Sequence, residues 1–405
     1  MIKTIKINQN QYYYWLLILL SLFIPLIKTI SSLLIILISV LWLLTGAFTN
    51  KFKILYQNKI FLFFIAYYLI YLAGITYSSN IRFALFDLEI KLALLFFPLI
   101  LGSLYINFFK KLDYEKIENS YIISCIAGSL FCLIRAFIRY FKEDNSLVFY
   151  YKEFSYLFHP SYYAMFLILA IIFLIYKTMN NPIGNKSWII NSLMILYFIL
   201  IIVLLSSKSG IFSFLLIFIF FIFYYTVKIR KIKRSILILF VALSLFFCLY
   251  KIFPYSFGRI EIAKKTLEMT KISANTSDGT SERILIWKTS LEIIRENFLF
   301  GVGTGDIKDE LMRKYKEKKM TTAYNLKLNA HNQYLQSFIA TGFLGFIIFL
   351  SSLILPAIIA IRQKNIIYLM FIFLVAFNFL FESMLEVQAG VVFYAFFNSL
   401  LFLKK

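Results

Sequence analysis

Long apolar runs separated by short polar connections recur from one end of the chain to the other. A helix needs about 20 mostly apolar residues to cross the hydrocarbon of a bilayer. Windows of that kind fall near 12–28, 31–48, 59–76, 88–105, 120–138, 160–177, 188–206, 209–226, 234–253, 332–359, 366–381 and 388–403. The runs are too long for barrel strands, and in lipid only helices and closed barrels satisfy their own backbone polar groups. The pattern predicts an all-α polytopic membrane protein with about twelve transmembrane helices. One stretch interrupts it. Residues 254–331 are polar and charged, which predicts transmembrane helices one to nine in 1–253, a large extracytoplasmic helical loop in 254–331, and helices ten to twelve in 332–405.

Inside that loop the period changes. Ile284, Trp287, Leu291, Ile294 and Phe298 recur at spacings of three and four, the mark of an amphipathic helix. Its polar side carries Glu282, Arg283, Lys288, Glu292 and Arg295. Asp278, Thr280 or Ser281 can cap its start, and Gly301 ends it. Such a helix can lie on the bilayer or roof a cavity between spans. A second, basic helix begins near Asp306, which is placed to cap it, and carries Lys308, Arg313, Lys314, Lys316, Lys318 and Lys319.

Charge supplies the orientation. Of the 405 residues, 61% are hydrophobic, and 42 Lys and Arg stand against 20 Asp and Glu, a formal net charge of +22. Mean hydropathy is +0.80, outside the soluble range. The connections after spans two, four, six, eight and ten hold Lys51, Lys53, Lys59, Lys110, Lys111, Lys116, Lys177, Lys186, Arg362 and Lys364. The densest cluster is Lys228, Arg230, Lys231, Lys233 and Arg234, and both termini are basic. All of these fall on one side, which the positive-inside rule makes cytoplasmic, so both termini are expected there. The loop holds half of the acidic residues and a third of the basic ones, but long translocated loops escape the rule. No nucleic-acid motif accompanies the basic clusters, so no nucleic-acid partner is expected.

Few residues can carry chemistry. His331, one of only two histidines, lies in Asn329-Ala-His-Asn-Gln-Tyr-Leu, just before the tenth span. The positive end of a helix dipole keeps an imidazole neutral there, and a neutral ring at a wet boundary can accept a proton from an alcohol. The bland reading is a histidine that only anchors the helix. Arg283 heads the amphipathic helix, where its planar fork of donors suits phosphate oxygens or simply faces water. Lys208 sits in the turn Ser206-Ser207-Lys208-Ser209-Gly210 between spans seven and eight. A cation at that depth either meets an anion or snorkels to the interface, and Arg135 and Arg139 pose the same choice. Pro160, after His159, reads as an ordinary helix start.

Glu382 and Glu386 lie four apart in the last outer turn, on one helical face if that turn is helical, where either can pair with Arg135, Arg283 or Lys208. GVGTGD lacks the strand and context of a dinucleotide fingerprint and reads as a turn. No cofactor motif and no cluster of metal-ligand residues is visible. Cys125, Cys132 and Cys248 fall in apolar runs and read as buried structural residues.

Taken together, LLSSKSG, SERILIWKTSLEIIRENFLFGVGTGD and AHNQYLQSFIATGFLG resemble, in that order, the O-antigen ligase and polymerase superfamily of bacterial membrane glycosyltransferases. The resemblance implies a GT-C type enzyme of the inner membrane. Its donor is a glycan on undecaprenyl pyrophosphate, presented at the periplasmic face. The acceptor is lipid A core, another glycan or a protein, and the transfer is inverting and metal-independent. The resemblance matches Arg283 and His331 to the family's essential arginine and histidine. Lys208 falls where the family commonly has arginine, which keeps the charge and loses the bidentate fork. O-antigen ligase is the leading reading. A polymerase or protein O-oligosaccharyltransferase of the same superfamily is the alternative. A flippase or transporter is a different class that would more often show inverted repeats, and none is seen.

Overall fold

Every regular element among the described residues of the computed structural model is helical. Those residues are 2–104, 108–109, 112–182, 184–229, 239–240, 244, 247–268, 273–274 and 279–404. The main helices are α1 (Ile2–Phe23), α2 (Lys28–Leu44), α3 (Phe48–Gln57), α4 (Lys59–Ala73), α5 (Ile81–Lys91), α6 (Ala93–Ser103), α7 (Tyr114–Glu143) and α8 (Pro160–Asn180). They continue as α9 (Lys186–Leu204), α10 (Lys208–Ile229), α11 (Pro254–Glu268), α12 (Gly279–Glu296), α13 (Ile307–Glu317), α14 (Gln333–Arg362), α15 (Ile366–Phe379) and α16 (Gln388–Leu403).

Among the described residues six stretches are long and apolar enough to cross a membrane: Lys59–Tyr77, Tyr114–Glu143, Pro160–Met179, Lys186–Leu204, Lys208–Val227 and Gln333–Arg362. A seventh counts if α2 and α3, bent by 113°, form one broken span. The expected fourth span is divided at Leu92 between α5 and α6. The last two expected spans are apolar helices of 14 and 16 residues. The expected ninth span, the Arg230–Arg234 part of the basic cluster, Lys110, Lys111 and Asp278 lie largely or wholly outside the described residues.

The chain divides into two compact units, residues 1–121 with 269–405, and residues 122–268. In the second unit α8 is the buried helix, with Tyr163 through Phe173 almost fully enclosed. Gly210 lets α10 approach it closely, since a Cβ there would lie 2.5 Å from the Ala164 Cβ. Cys125 and Cys132 are buried as expected, whereas Cys248 is exposed. An apolar neighbourhood in sequence does not turn a side chain inward when hydrocarbon is the surrounding solvent.

In the first unit α4 packs against α6 and α14, and α6 packs against α16. The helix α14 is broken at Gly342, whose φ of 63° and ψ of −163° no other residue type adopts easily. The break frees backbone groups that need partners. The segment after α12 supplies them. Val302 N–H donates to Ile339 O at 2.8 Å, Gly303 N–H to Ala340 O at 3.1 Å, and Phe343 N–H to Phe298 O at 2.8 Å. The two backbones are so close that a Cβ on Gly301 would sit 2.5 Å from Ile339 O. Downstream, Thr304 Oγ1 donates to Tyr71 O at 2.7 Å. Asp306 stands at the N-cap of α13, but its side chain makes no cap bond there. Its two carboxylate oxygens accept from the N–H groups of Ser79 and Asn80 at 2.7 and 2.8 Å. GVGTGD is therefore a backbone clasp joining α12, the break in α14 and the start of α5.

The amphipathic helix forms as α12, but with a different face inward. Ser281, Ile286, Thr289, Ser290, Ile293 and Ile294 are buried, while Leu291 and, beyond the helix end, Phe298 are about half exposed. Small and hydroxylated side chains pack at the helix contact, as they do where apolar surface carries no penalty for facing outward.

Candidate functional site

Three chain segments, far apart in sequence, meet around one carboxylate. Arg283 projects from the first turns of α12. His331 stands immediately before Asn332, the N-cap of α14. Glu382 lies in the non-helical turn between α15 and α16. Arg283 Nη2 donates to Glu382 Oε1 at 2.7 Å, and His331 Nδ1 lies 3.3 Å from Glu382 Oε2. The Glu382 side chain is 5% exposed, against 24% for Arg283 and 25% for His331. A carboxylate so enclosed must be paired, and Arg283 is its charge partner.

The backbone fixes His331 in an uncommon conformation, with φ of 45° in the left-handed region. Its N–H donates to Asn329 Oδ1 at 3.0 Å. Asn332 does not orient the ring. Its side-chain oxygen caps α14 by accepting from Leu335 N–H at 3.1 Å, and its N–H donates to Ser383 Oγ at 3.1 Å. Gln333 Oε1 accepts from Leu385 N–H at 2.8 Å. These two bonds stitch the His331 segment to the turn that carries Glu382.

The chemistry follows from the contacts. A carboxylate accepts and does not donate when ionised, so the nitrogen facing it carries the proton. With Nδ1–H directed at Glu382, the lone pair of a neutral His331 is on Nε2. That is the arrangement in which an imidazole acts as a base while a carboxylate holds its tautomer and stabilises the imidazolium that forms. Arg283 reaches Glu382 through Nη2, and a guanidinium has further donors of a geometry that suits an anion.

Of the partners considered for Glu382, the structure selects Arg283. The contact that Glu382 shares with His331 goes beyond those partners. Its only sequence signal is an acidic residue in the short polar break Phe-Glu-Ser between two apolar runs. Glu386 does not share a helical face with Glu382. It ends a short 3-10 turn and pairs with Lys91 instead. Lys208 belongs to the second unit, where it opens α10 beside the buried Ser207 and Ser209. Arg139 pairs there with Glu143 and Glu153, and Arg135 donates to Glu153 O at 2.9 Å while lying over the Tyr156 ring. His159 contacts the rings of Tyr151 and Tyr162. Among the described residues no three His, Cys, Asp or Glu side chains gather as a metal site requires.

No curated protein matches the chain. Residues 193–350 match the family model described as O-antigen ligase, a stretch that contains Lys208, Arg283 and His331 and ends before Glu382. Over that stretch the chain is similar to the O-antigen ligase family.

Proposed function

We propose that the protein transfers a glycan from undecaprenyl pyrophosphate to an acceptor hydroxyl at the periplasmic face of the bacterial inner membrane, as an O-antigen ligase. The observation that supports this reading is the single carboxylate, Glu382, shared by Arg283 and His331. In this reading His331 Nε2 takes the proton from the acceptor hydroxyl as its oxygen attacks the anomeric carbon. The bond from that carbon to the pyrophosphate oxygen breaks on the opposite face, so the configuration inverts. Negative charge builds on the departing pyrophosphate, where the Arg283 guanidinium offsets it. Lys208 is assigned a second phosphate contact on the resemblance alone. A lipid pyrophosphate is already a good leaving group, so the step needs no metal. About twelve spans, cytoplasmic termini and an extracytoplasmic loop 254–331 complete the reading.

The test is deletion of the gene, followed by gel analysis of the cell's glycans and complementation with wild type or His331→Ala. A ligase leaves long lipid-linked glycan accumulating and absent from lipid A core. Wild type restores transfer and His331→Ala does not. Products limited to a single repeat would replace the ligase reading with polymerase, and glycan missing only from protein would replace it with protein glycosylation. An unchanged glycan profile would overturn glycosyl transfer.

A further inference from the structure

A second charged cluster lies within the same unit and takes no part in the chemistry above. Lys91, the last residue of α5, is 0% exposed. Its ammonium donates to Asp87, one turn earlier on α5, and to Glu386 at 3.0 Å, and lies 4.8 Å from the centre of the Tyr71 ring. Asp87 is 2% and the Glu386 side chain 10% exposed. Ionisable groups this deep in an apolar helix bundle are costly, so their retention asks for a reason.

Glu386 stands in the same turn as Glu382. That turn is held from three sides: Ser383 by Asn332, Leu385 by Gln333, and Glu386 by Lys91. The first two ties run to the segment that carries His331 itself. The third runs to α5. At its opposite end α5 is fastened to the clasp after α12, where Asp306 accepts from Ser79 and Asn80 and the Asn80 side chain donates to Asp309 at 2.8 Å. A helix of 11 residues is a rigid rod of roughly 16 Å. One end of it grips the loop leaving the Arg283 helix, and the other grips the turn bearing Glu382.

We infer that α5 is a strut and Lys91 a positioning residue, which sets the turn at residues 382–386 so that Glu382 reaches Arg283 and His331 together. The inference rests on the proposed function. Lys91 touches no reacting group. It acts through Glu386 and the backbone to Glu382.

The experiment is a mutant cycle on purified protein with lipid-linked donor. Lys91→Met alone would strand two buried carboxylates, so the working variant is the neutral triple Asp87→Asn/Lys91→Met/Glu386→Gln, with thermal unfolding in detergent to check the fold. The expected result is a loss of about tenfold in kcat, the scale on which misplacing a catalytic group is felt. The division of the loss between kcat and KM should follow that of Glu382→Gln. Added to Glu382→Gln, the triple should cost less than about twofold more, because both act on one element. Lys91→Arg, which keeps the cation, should restore kcat to within about twofold of wild type. Wild-type kcat in the triple, or a full tenfold loss repeated in the Glu382→Gln background, overturns the strut and leaves the proposed function standing. If the triple does not fold, Lys91→Arg decides by the same cycle: a tenfold loss that multiplies with Glu382→Gln overturns it. If Glu382→Gln itself turns over like wild type, the strut and the role given to Glu382 both fall, while glycosyl transfer stands.

Discussion

The two ends of α12 carry the same kinds of charged residue and use them differently. At the start, Arg283 meets a carboxylate that is 5% exposed and shared with a histidine. Toward the end, Glu292 pairs with Lys318 and Glu296 with Lys314 and Arg313, and Arg313 also holds Glu310 and Glu317. In these outer pairs Glu296 is 49% and Arg313 48% exposed. The hydrogen bond from Lys314 holds the Glu296 carboxyl below its usual range, yet water screens the pair on its open Glu296 side. The Arg283 pair works where screening is weak and where losing one partner leaves a charge enclosed. The number of ion pairs on a helix therefore says little about which one matters. Burial, and a second partner on the same carboxylate, separates the two ends.

The largest effects test the enclosed end. His331→Ala and Glu382→Gln should each lower turnover by about 10²–10⁴, the range for losing a general base or the group that orients it. Combined, they should cost little more than the worse single change, since groups acting as a unit are not additive. Steady-state rates of the two singles and the double decide it. Losses that multiply would separate Glu382 from His331. Next in size is Arg283→Lys. An ammonium can still pair with Glu382 but cannot also present a planar edge to pyrophosphate, so turnover should drop by about 10–100-fold. Wild-type turnover with normal insertion would remove Arg283 from the phosphate.

Much of this arrangement was legible before any coordinates, and the rest was hidden for physical reasons. The all-helical class, the helices α12 and α13, and Arg283 and His331 as candidates followed from apolar runs, a change of period and a short set of motifs. The inward face of α12 did not. The stripe of Ile284, Leu291 and Phe298 marks an apolar side, but an amphipathic helix beside a bilayer can turn such a side to lipid, so the stripe alone carries no instruction to turn inward. The Ser281, Thr289 and Ser290 side packs instead. The break in α14 sits inside a continuous apolar run, with Gly342 as its only trace. Lys91 was absorbed into a span because a hydropathy window averages one lysine into its apolar neighbours. Glu382 was visible as a charge, but its partners lie 99 and 51 residues away in sequence, and no local pattern pairs them.

The smallest expected effect tests the exposed end of α12. Arg313→Ala removes a side chain with three carboxylate partners, and Lys318→Ala removes the partner of Glu292. Arg313 reaches Glu296, Glu310 and Glu317 at once. Each of its bonds, however, replaces hydration that the side chain keeps on its open side, and holding three geometries at once costs rotamer freedom. Both substitutions should leave turnover within about twofold of wild type at ordinary ionic strength, where exposed charges are screened within about 8–10 Å. Rates measured at low and high salt distinguish the ends. The Arg283 pair, being enclosed, should keep its contribution as salt rises, while any small loss in Arg313→Ala should vanish. A salt-resistant loss of tenfold or more in Arg313→Ala would show that α13 takes part in substrate handling, and the division of α12 into a working end and a solvated end would fail.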